Sequence, residues 1–482
     1  METTGLKRRG KSKEVVLHVK RLTSEEGAVE IFDKVSSLPY SCFLDSSLLM
    51  PKFGLHSFIG FSPFMTLHTN GRNAIFSYRD GTVRSLQMNP FDALRVALRQ
   101  VEIDPDSRPE GLPPFVGGAI GYLAYELGRY IERLPGRAVD DLHLPETFFC
   151  FYDKVIAIDH VSGEKYMLVT SAPGERPEKK FSVIEDAFSK KIRHNGNDCG
   201  QRISTRNQDF ECTFTKDQYI EAVKKVKEYI LAGDIYQANL SQRFSCQLRE
   251  HPWDLYRRLR VVNAAPFSAF LNFGSYAVAS SSPERFLAVR GSEVETRPIK
   301  GTIRRLDDPE LDSRQKELLL SSVKDRAELS MIVDLERNDL GRVCSYGSVK
   351  VTEHEVLESY ATVHHLVSTV VGTLREDKDV VDLLKASFPG GSITGAPKIR
   401  SMEIIDELEP TVRSVYTGGI GYLGFDGNHD INIAIRSMII ANGKVYFQVG
   451  GGIVADSDPE AEYQETLDKG KALFTAITGA DS

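Results

Sequence analysis

Apolar and polar positions alternate in short runs through the first third of the chain. Runs at 14–20, 58–64, 74–78 and 154–158 have the two-residue period of strands and are broken by turn residues. Helical spacing at 28–36 and 91–101 predicts helices between them. Residues 115–130, FVGGAIGYLAYELGRY, read as a strand with a glycine break that runs into a helical start. From 173 to 207 the pattern dissolves into charged and polar residues, GERPEKK and then RHNGNDCGQR. This predicts a surface linker around one helix at 180–192.

Periodicity strengthens from residue 213. Thr215 and Gln218 form a capping box at the start of a helix over 213–231. Strands are predicted at 236–248, 267–273, 276–280, 284–289 and 293–299, followed by one long helix at 314–335. A strand at 362–372, helices at 380–387 and 396–408, strands at 418–425, 431–440, 444–448 and 450–455, and a last helix at 459–478 complete the chain. Runs of strands with long helices between them predict an α+β fold with a mostly antiparallel sheet. The organisation is an N-terminal region at 14–172, a linker at 173–212 and a region at 213–478 that carries the stronger signals.

Composition narrows the function classes. With 60 Lys and Arg against 67 Asp and Glu, the net charge is −7, which argues against nucleic-acid binding and a polybasic membrane surface. No apolar run approaches the roughly 18 residues of a membrane helix. The short basic stretch containing Lys7, Arg8, Arg9, Lys11 and Lys13 is expected to be a solvated, disordered tail. Cysteines at 42, 150, 199, 212, 246 and 344 have neither CxxC nor zinc spacing, as in a cytoplasmic protein with reduced thiols. None lies in the glycine-flanked turn of a cysteine glutaminase. Ammonia made from glutamine must therefore come from another chain.

Four segments could carry chemistry. Residues 388–410, FPGGSITGAPKIRSMEIIDELEP, offer Gly390 and Gly391 for close backbone approach, Ser392 and Thr394 as hydroxyl donors, and Pro397 at a helix start. That suits an anion site, although a plain capped helix explains it equally well. It is not a Walker loop, because no Lys-Ser or Lys-Thr follows the glycine frame. Asp325 and Glu328 share a helix face with Ile332 and Leu335, and Glu462 and Glu465 share a face of the last helix. Two such pairs could converge on magnesium; either alone could be a solvated helix face. Lys300 stands in a strand-like segment before Gly301, where desolvation would make it a nucleophile and exposure would make it ordinary. Glu284 is an acid candidate. Gly450, Gly451 and Gly452 in a strand pattern imply close approach of a ligand or another segment.

Taken together, these segments resemble component I of the chorismate-utilising enzymes: anthranilate, aminodeoxychorismate, isochorismate and salicylate synthases. The resemblance is dense from about Tyr219 to Phe474. It covers GDIYQANLSQRF (233–244), SSSPERF (280–286), RPIKGT (297–302), KDRAELSMIVDLERNDLGRV (324–343), HLVSTVVG (365–372), SFPGGSITGAPK (387–398), INIAIRS (431–437) and GGGIVADSDPEAEYQET (450–466). SCFLDSS (41–47) and FVGGAIGYLAYEL (115–127) extend it more weakly into the N-terminal half. The family fold it implies has two antiparallel sheets packed face to face and flanked by helices. Both halves of the chain contribute, and 213–478 is the chorismate-binding catalytic region.

Two positions discriminate within the family. Gln237 stands where the water-using members have a lysine base, which leaves ammonia as the nucleophile. Lys300 stands where anthranilate synthases have alanine and aminodeoxychorismate synthases have lysine. The resemblance therefore implies amination of chorismate at C4, giving 4-amino-4-deoxychorismate for p-aminobenzoate and folate, with Lys300 forming a covalent intermediate at C2. Anthranilate synthesis and a non-catalytic chorismate-binding paralogue are the alternatives. By resemblance, Glu284 is the general acid for hydroxyl departure and His365 lies beside the reacting ring. Glu328 and Glu465 are magnesium ligands, supported by Asp325 and Glu462. Gln237, Gly301, Thr302, Thr394, Tyr416, Arg436, Gly450, Gly451, Gly452 and Lys469 contact substrate, with Arg436 pairing a carboxylate. The expected partner is a glutaminase subunit that supplies ammonia. One departure concerns the regulatory tryptophan pocket of anthranilate synthases. Its Leu-Leu-Glu-Ser element is here Leu44-Asp45-Ser46, and its second wall, NAAPFSAF (263–270), has Phe267 and Ser268.

Overall fold

The computed structural model describes residues 13–50, 52–189, 209–360 and 363–479. Most of the basic stretch, Cys199, Thr362 and much of the expected linker fall outside these residues. Two twelve-stranded sheets dominate the fold. The first runs from Ile299–Arg304 through Val363–Thr373, Glu293–Arg297, Arg285–Arg290, His429–Ile433 and Gly419–Gly424 to Gly118–Leu123, then on to Val83–Gln87. The second runs from Glu211–Cys212 through Gln237–Gln247, Lys444–Ile453, Ser437–Ala441, Tyr276–Ser282 and Phe267–Asn272 to Cys42–Asp45, then on to Val16–Arg21. All named pairings within both sheets are antiparallel.

Each sheet crosses the boundary between the two halves of the chain. Gly118–Leu123 pairs with Gly419–Gly424 in one, and Cys42–Asp45 pairs with Phe267–Asn272 in the other. The alternating strands give each sheet an apolar inner face. Leu67, Ile120 and Phe149 from the first sheet join Phe58, Leu168, Leu271 and Val278 from the second in one buried cluster. Helices cover the outer face of the second sheet, where Trp253, Tyr256, Leu473 and Ile477 pack against Phe270, Ile440 and Val449. Among the described residues no helix is long and apolar enough to cross a membrane. Cys42, Cys150, Cys212 and Cys344 are free thiols.

Several expected elements form as read. The Thr215–Gln218 capping box opens the helix Lys216–Leu231, and Asp458 caps the last helix, Pro459–Thr478. Others differ, for local reasons. The single helix expected at 314–335 is two helices, Pro309–Ser321 and Val323–Gly341. Ser322 adopts φ −66° and ψ 105°, and its hydroxyl accepts the Asp325 N–H. A serine that can bond its own backbone ends one helix and caps the next. The strand expected at 431–440 is likewise two: His429–Ile433 belongs to the first sheet and Ser437–Ala441 to the second. Arg436, at φ +50°, lies in the crossover between them. Segments 444–448 and 450–455 form one strand, Lys444–Ile453, because the glycines stay paired with Gln237–Gln247. A strand at Lys350–Ser359 was not expected, since charged residues interrupt its alternation.

Candidate active site

Lys300 is placed by a bulge. In Ile299–Arg304 the register against Val363–Thr373 slips between Lys300 and Thr302, and Gly301 takes φ +71°. A Cβ on Gly301 would stand 3.0 Å from Asp325 Cβ and 3.0 Å from Leu319 Cδ1. Glycine is thus needed both for the left-handed backbone and for the approach of two helices. Lys300 Nζ lies 3.5 Å from where a Cβ on Gly452 would be, so the side chain reaches from one sheet to the other. Burial lowers its pKa, and the Lys469 ammonium pushes the same way. Glu328, Glu284 and Glu465 oppose the shift without cancelling it.

His365, on the strand paired with that of Lys300, and Glu284, in the link from Tyr276–Ser282 of the second sheet to Arg285–Arg290 of the first, flank this lysine. Glu284 is buried, which raises its pKa; the Ser392 hydroxyl and the Lys300 charge pull against that. The Ile299 N–H also donates to its carboxylate at 3.4 Å. His365 is the direct cross-strand partner of Thr302, and its Nδ1 lies 2.8 Å from Thr302 Oγ1. Burial, reinforced by the Arg436 charge, lowers the His365 pKa to about 3, so the ring is neutral at physiological pH. Its Nε2 is buried with no hydrogen-bond partner among the described residues.

Arg436 is driven toward its neutral form by burial, with Tyr360 and Glu284 opposing. Its Nη1 donates to Asn263 Oδ1 at 3.3 Å. Among the described residues no carboxylate forms a salt bridge with it. A half-buried guanidinium without a carboxylate partner favours an anionic ligand.

Glu328, on one helix with Asp325, lies within electrostatic reach of Glu465 on the last helix. Glu462, Glu465 and Lys469 close over Gly451: a Cβ there would lie 3.3 Å from Glu462 Oε2, 3.4 Å from Glu465 Oε1 and 3.6 Å from Lys469 Nζ. Lys469 bridges Glu465 at 2.6 Å and donates to the Gly450 carbonyl at 3.1 Å. Burial raises Glu328, and the neighbouring Asp325 and Glu465 charges add to the shift. Burial also raises Glu462, with Glu465 adding, although the Ser457 hydroxyl donates to it at 2.5 Å. Burial acts in the same direction on the half-exposed Glu465, but the ammonium groups of Lys469, Lys324 and Lys300 together leave that carboxyl below its ordinary range. Like charges held together while partly desolvated suit a hard divalent cation. Among the described residues no group of three or more His, Cys, Asp or Glu side chains is placed to hold a metal ion by itself. Magnesium needs no such group, since it takes one or two carboxylates and fills its shell with water and substrate oxygens.

The second sheet supplies a polar floor. Gln237 and Asn239 share one face of their strand, with Gly452 opposite Asn239 and Gly450 opposite Ser241. A Cβ on Gly452 would fall 2.0 Å from Gln237 Nε2, so that carboxamide lies directly over the glycine. Behind this floor Arg413 and Glu409 form a buried ion pair at 2.7 Å. Arg413 also donates to the Asn239 carbonyl at 2.7 Å and the Ile393 carbonyl at 3.0 Å. Its guanidinium lies 5.8 Å from the ring of Tyr416, which is buried in a turn where Ser414 and Thr417 have positive φ.

The glycine-rich loop serves this floor more than an external anion. The Gly391 N–H is taken by Glu336 at 3.1 Å, and the Thr394 hydroxyl donates to the carbonyls of Gly390 at 2.9 Å and Gly391 at 3.3 Å. Gly395 and Ala396 pair with the start of Gln237–Gln247, which draws the loop inward and moves the helix start to Lys398. Ser392, read only as a donor, bonds Glu284. Glu336, Asn239 and Arg413 were missed as site residues. Only Asn239, between Ala238 and Leu240, carries a sequence signal, a polar side chain in an apolar setting.

Asp45, Ser46 and Phe267 line a separate cavity of about 240 Å³, shared with Phe53, Arg285 and Tyr422 and containing none of the residues above. The Asp45 carboxylate is engaged there by Arg260 Nε at 2.8 Å and by the Tyr256 hydroxyl at 3.0 Å.

The chain is similar to known proteins over most of its length. The family model described as chorismate binding enzyme matches residues 45–475. Aminodeoxychorismate synthase component 1 of Escherichia coli (strain K12) is 42% identical over 448 residues, covering 93% of this chain and 95% of that protein. Anthranilate synthase component 1 of Thermus thermophilus is also 42% identical, over 414 residues, covering 86% of this chain and 88% of its own. The crystal structure of anthranilate synthase component I from Streptococcus pneumoniae superposes with a TM-score of 0.76 at 32% identity, covering 89% of this chain and 93% of the other. Overall identity is the same to both kinds of synthase, so it does not choose between them.

Proposed function

From the membership of this chain in the chorismate-binding enzyme family, we propose that it aminates chorismate at C4, with ammonia, to give 4-amino-4-deoxychorismate. The observation that carries the choice is Lys300: a half-buried amine with lowered pKa, held between the two sheets beside a buried acid of raised pKa, Glu284. An enzyme that adds ammonia directly has no need of such an amine.

The neutral Lys300 amine attacks C2 as the ring double bonds shift and the C4–O bond breaks. The Glu284 proton leaves with the hydroxyl as water, and the lysine nitrogen becomes a cationic secondary amine. Ammonia then adds at C4, the double bonds shift back, and the C2–N bond breaks with its electron pair returning to Nζ. The product carries the new C4 nitrogen as an ammonium group, and Glu284 regains a proton from solvent. A neutral His365, held by Thr302, orients the ring and needs no change of charge. Arg436 receives a substrate carboxylate.

Glu328 and Glu465, with Asp325 and Glu462 behind them, would hold magnesium. When bound, the ion supplies charge compensation for the ring carboxylate. The described cysteines offer no glutaminase nucleophile, which supports a separate glutaminase subunit as the ammonia source. The product would lie on the route to p-aminobenzoate and folate.

Product identity is the test. Chorismate, ammonium and magnesium should yield aminodeoxychorismate without pyruvate release. Fluorescent anthranilate with stoichiometric pyruvate would instead assign the direct-addition reaction of the other synthase.

A further inference from the structure

Two carboxamide oxygens on the floor of the site have no partner. Gln237 Oε1 and Asn239 Oδ1 are both buried, at 1% and 8% residue exposure, and neither finds a hydrogen bond among the described residues. Buried acceptors are seldom left in that state without a ligand to satisfy them. They belong to one strand face, and the Gln237 carboxamide folds over Gly452, the residue directly opposite Asn239. Lys300 Nζ reaches the same glycine.

We propose that these two oxygens form the subsite for ammonia, with Asn239 as its second, previously unassigned acceptor. The proposal rests on the amination reading above and names the groups that hold its nucleophile. Ammonia has three N–H donors and one lone pair. Two N–H bonds donated to the two oxygens orient the molecule and leave the lone pair free for C4. As the C–N bond forms the nitrogen becomes cationic, and both hydrogen bonds strengthen. Water could occupy the same acceptors, but it must lose a proton to react, and neither carboxamide is a base. A carboxylate here would hold ammonium in its protonated, unreactive form, whereas a carboxamide does not.

Asn239 is built to be rigid. Its N–H donates to the Thr394 carbonyl at 2.7 Å, and its carbonyl accepts from Arg413 at 2.7 Å. Arg413 is in turn fixed by Glu409 at 2.7 Å. The backbone of this residue is therefore locked from two directions, and its side chain faces the floor from a fixed base.

The experiment varies ammonium chloride against purified Asn239→Ala and the same-volume variant Asn239→Asp, with chorismate and magnesium saturating. Asn239→Ala should raise KM for ammonia at least tenfold, with KM for chorismate within twofold of the parent. Formation of the lysine adduct from chorismate alone should still proceed in both variants. Asn239→Asp should aminate more slowly than the parent, with its pH optimum moved upward because bound ammonium must lose a proton beside a carboxylate. An unchanged ammonia KM in Asn239→Ala overturns the subsite. So does loss of the adduct in both variants, which would assign Asn239 to the ring. Failure of the parent to form any adduct contradicts the covalent reading instead, and the ammonia KM still decides the subsite.

Discussion

Gly452 lies under the carboxamide of Gln237 with no room for a methyl group: its Cβ would stand 2.0 Å from Gln237 Nε2. The same Cβ would be 3.5 Å from Lys300 Nζ. Gly452→Ala must therefore displace the glutamine and crowd the lysine while leaving the strand paired. Misplacement of about 1 Å at a reacting centre costs roughly 100-fold in rate. Amination should fall by about that factor or more in this variant, with an unchanged circular dichroism spectrum. Near-parental turnover would mean that the floor tolerates movement.

The pH–rate profile for adduct formation should be bell-shaped. Lys300 reacts as the neutral amine, so the rising limb follows loss of its proton, at a pH below that of an ordinary lysine because burial lowers its pKa. Glu284 reacts as the acid, so the falling limb follows its deprotonation, at a pH above that of an ordinary glutamate because burial raises its pKa. His365, held near a pKa of about 3, should contribute no limb between pH 5 and 8. Stopped-flow measurement across that range checks all three. A limb near pH 6.5 that disappears in His365→Gln would contradict the neutral-imidazole assignment.

Glu328→Gln and Glu465→Gln should each remove most activity at any magnesium concentration, because each deletes a charged oxygen ligand. Glu462→Gln, one step back, should weaken magnesium affinity by roughly 10–100-fold, the usual effect of an outer ligand partner. Isothermal titration of magnesium in the presence of chorismate separates the two classes. Full activity of any of these variants in EDTA would remove the metal from the account.

Glutamine should not support turnover by the isolated chain, while ammonium salts should. Addition of a class I glutaminase subunit should confer glutamine dependence without changing the product. Ammonia release from glutamine by the pure chain would contradict the reading of its cysteines.

Much of this site was legible before any fold was known, and the reasons differ by residue. Glu328 and Glu465 showed in the sequence only as acids paired with Asp325 and Glu462 on helix faces, a pattern that a solvated face explains as well, and the metal role came from resemblance. Lys300 was legible as a nucleophile only through resemblance. Its desolvation depends on the bulge at Gly301 and on Gly452 arriving from the other sheet, two contacts far apart in sequence. The break at Ser322 was hidden because serine is tolerated within helices, and only its hydroxyl bond to Asp325 shows that it ends one. The change of sheet at Arg436 was hidden by the apolar run around it. Asn239 showed only as a polar side chain between Ala238 and Leu240, since an unpartnered amide oxygen exists only once the strand is packed.

The covalent role of Lys300 is the central claim, and intact-mass spectrometry of the protein with chorismate and magnesium, without ammonia, tests it most directly. A species heavier by chorismate minus water should accumulate, and peptide mapping should locate it to RPIKGT (297–302). Addition of ammonium should discharge it to aminodeoxychorismate at the steady-state rate. Lys300→Ala should form no adduct, and Lys300→Arg should do no better, because a guanidinium stays charged at any workable pH. Absence of the adduct in the parent, or a parental amination rate in Lys300→Ala, would contradict the mechanism and leave Lys300 as an electrostatic contact.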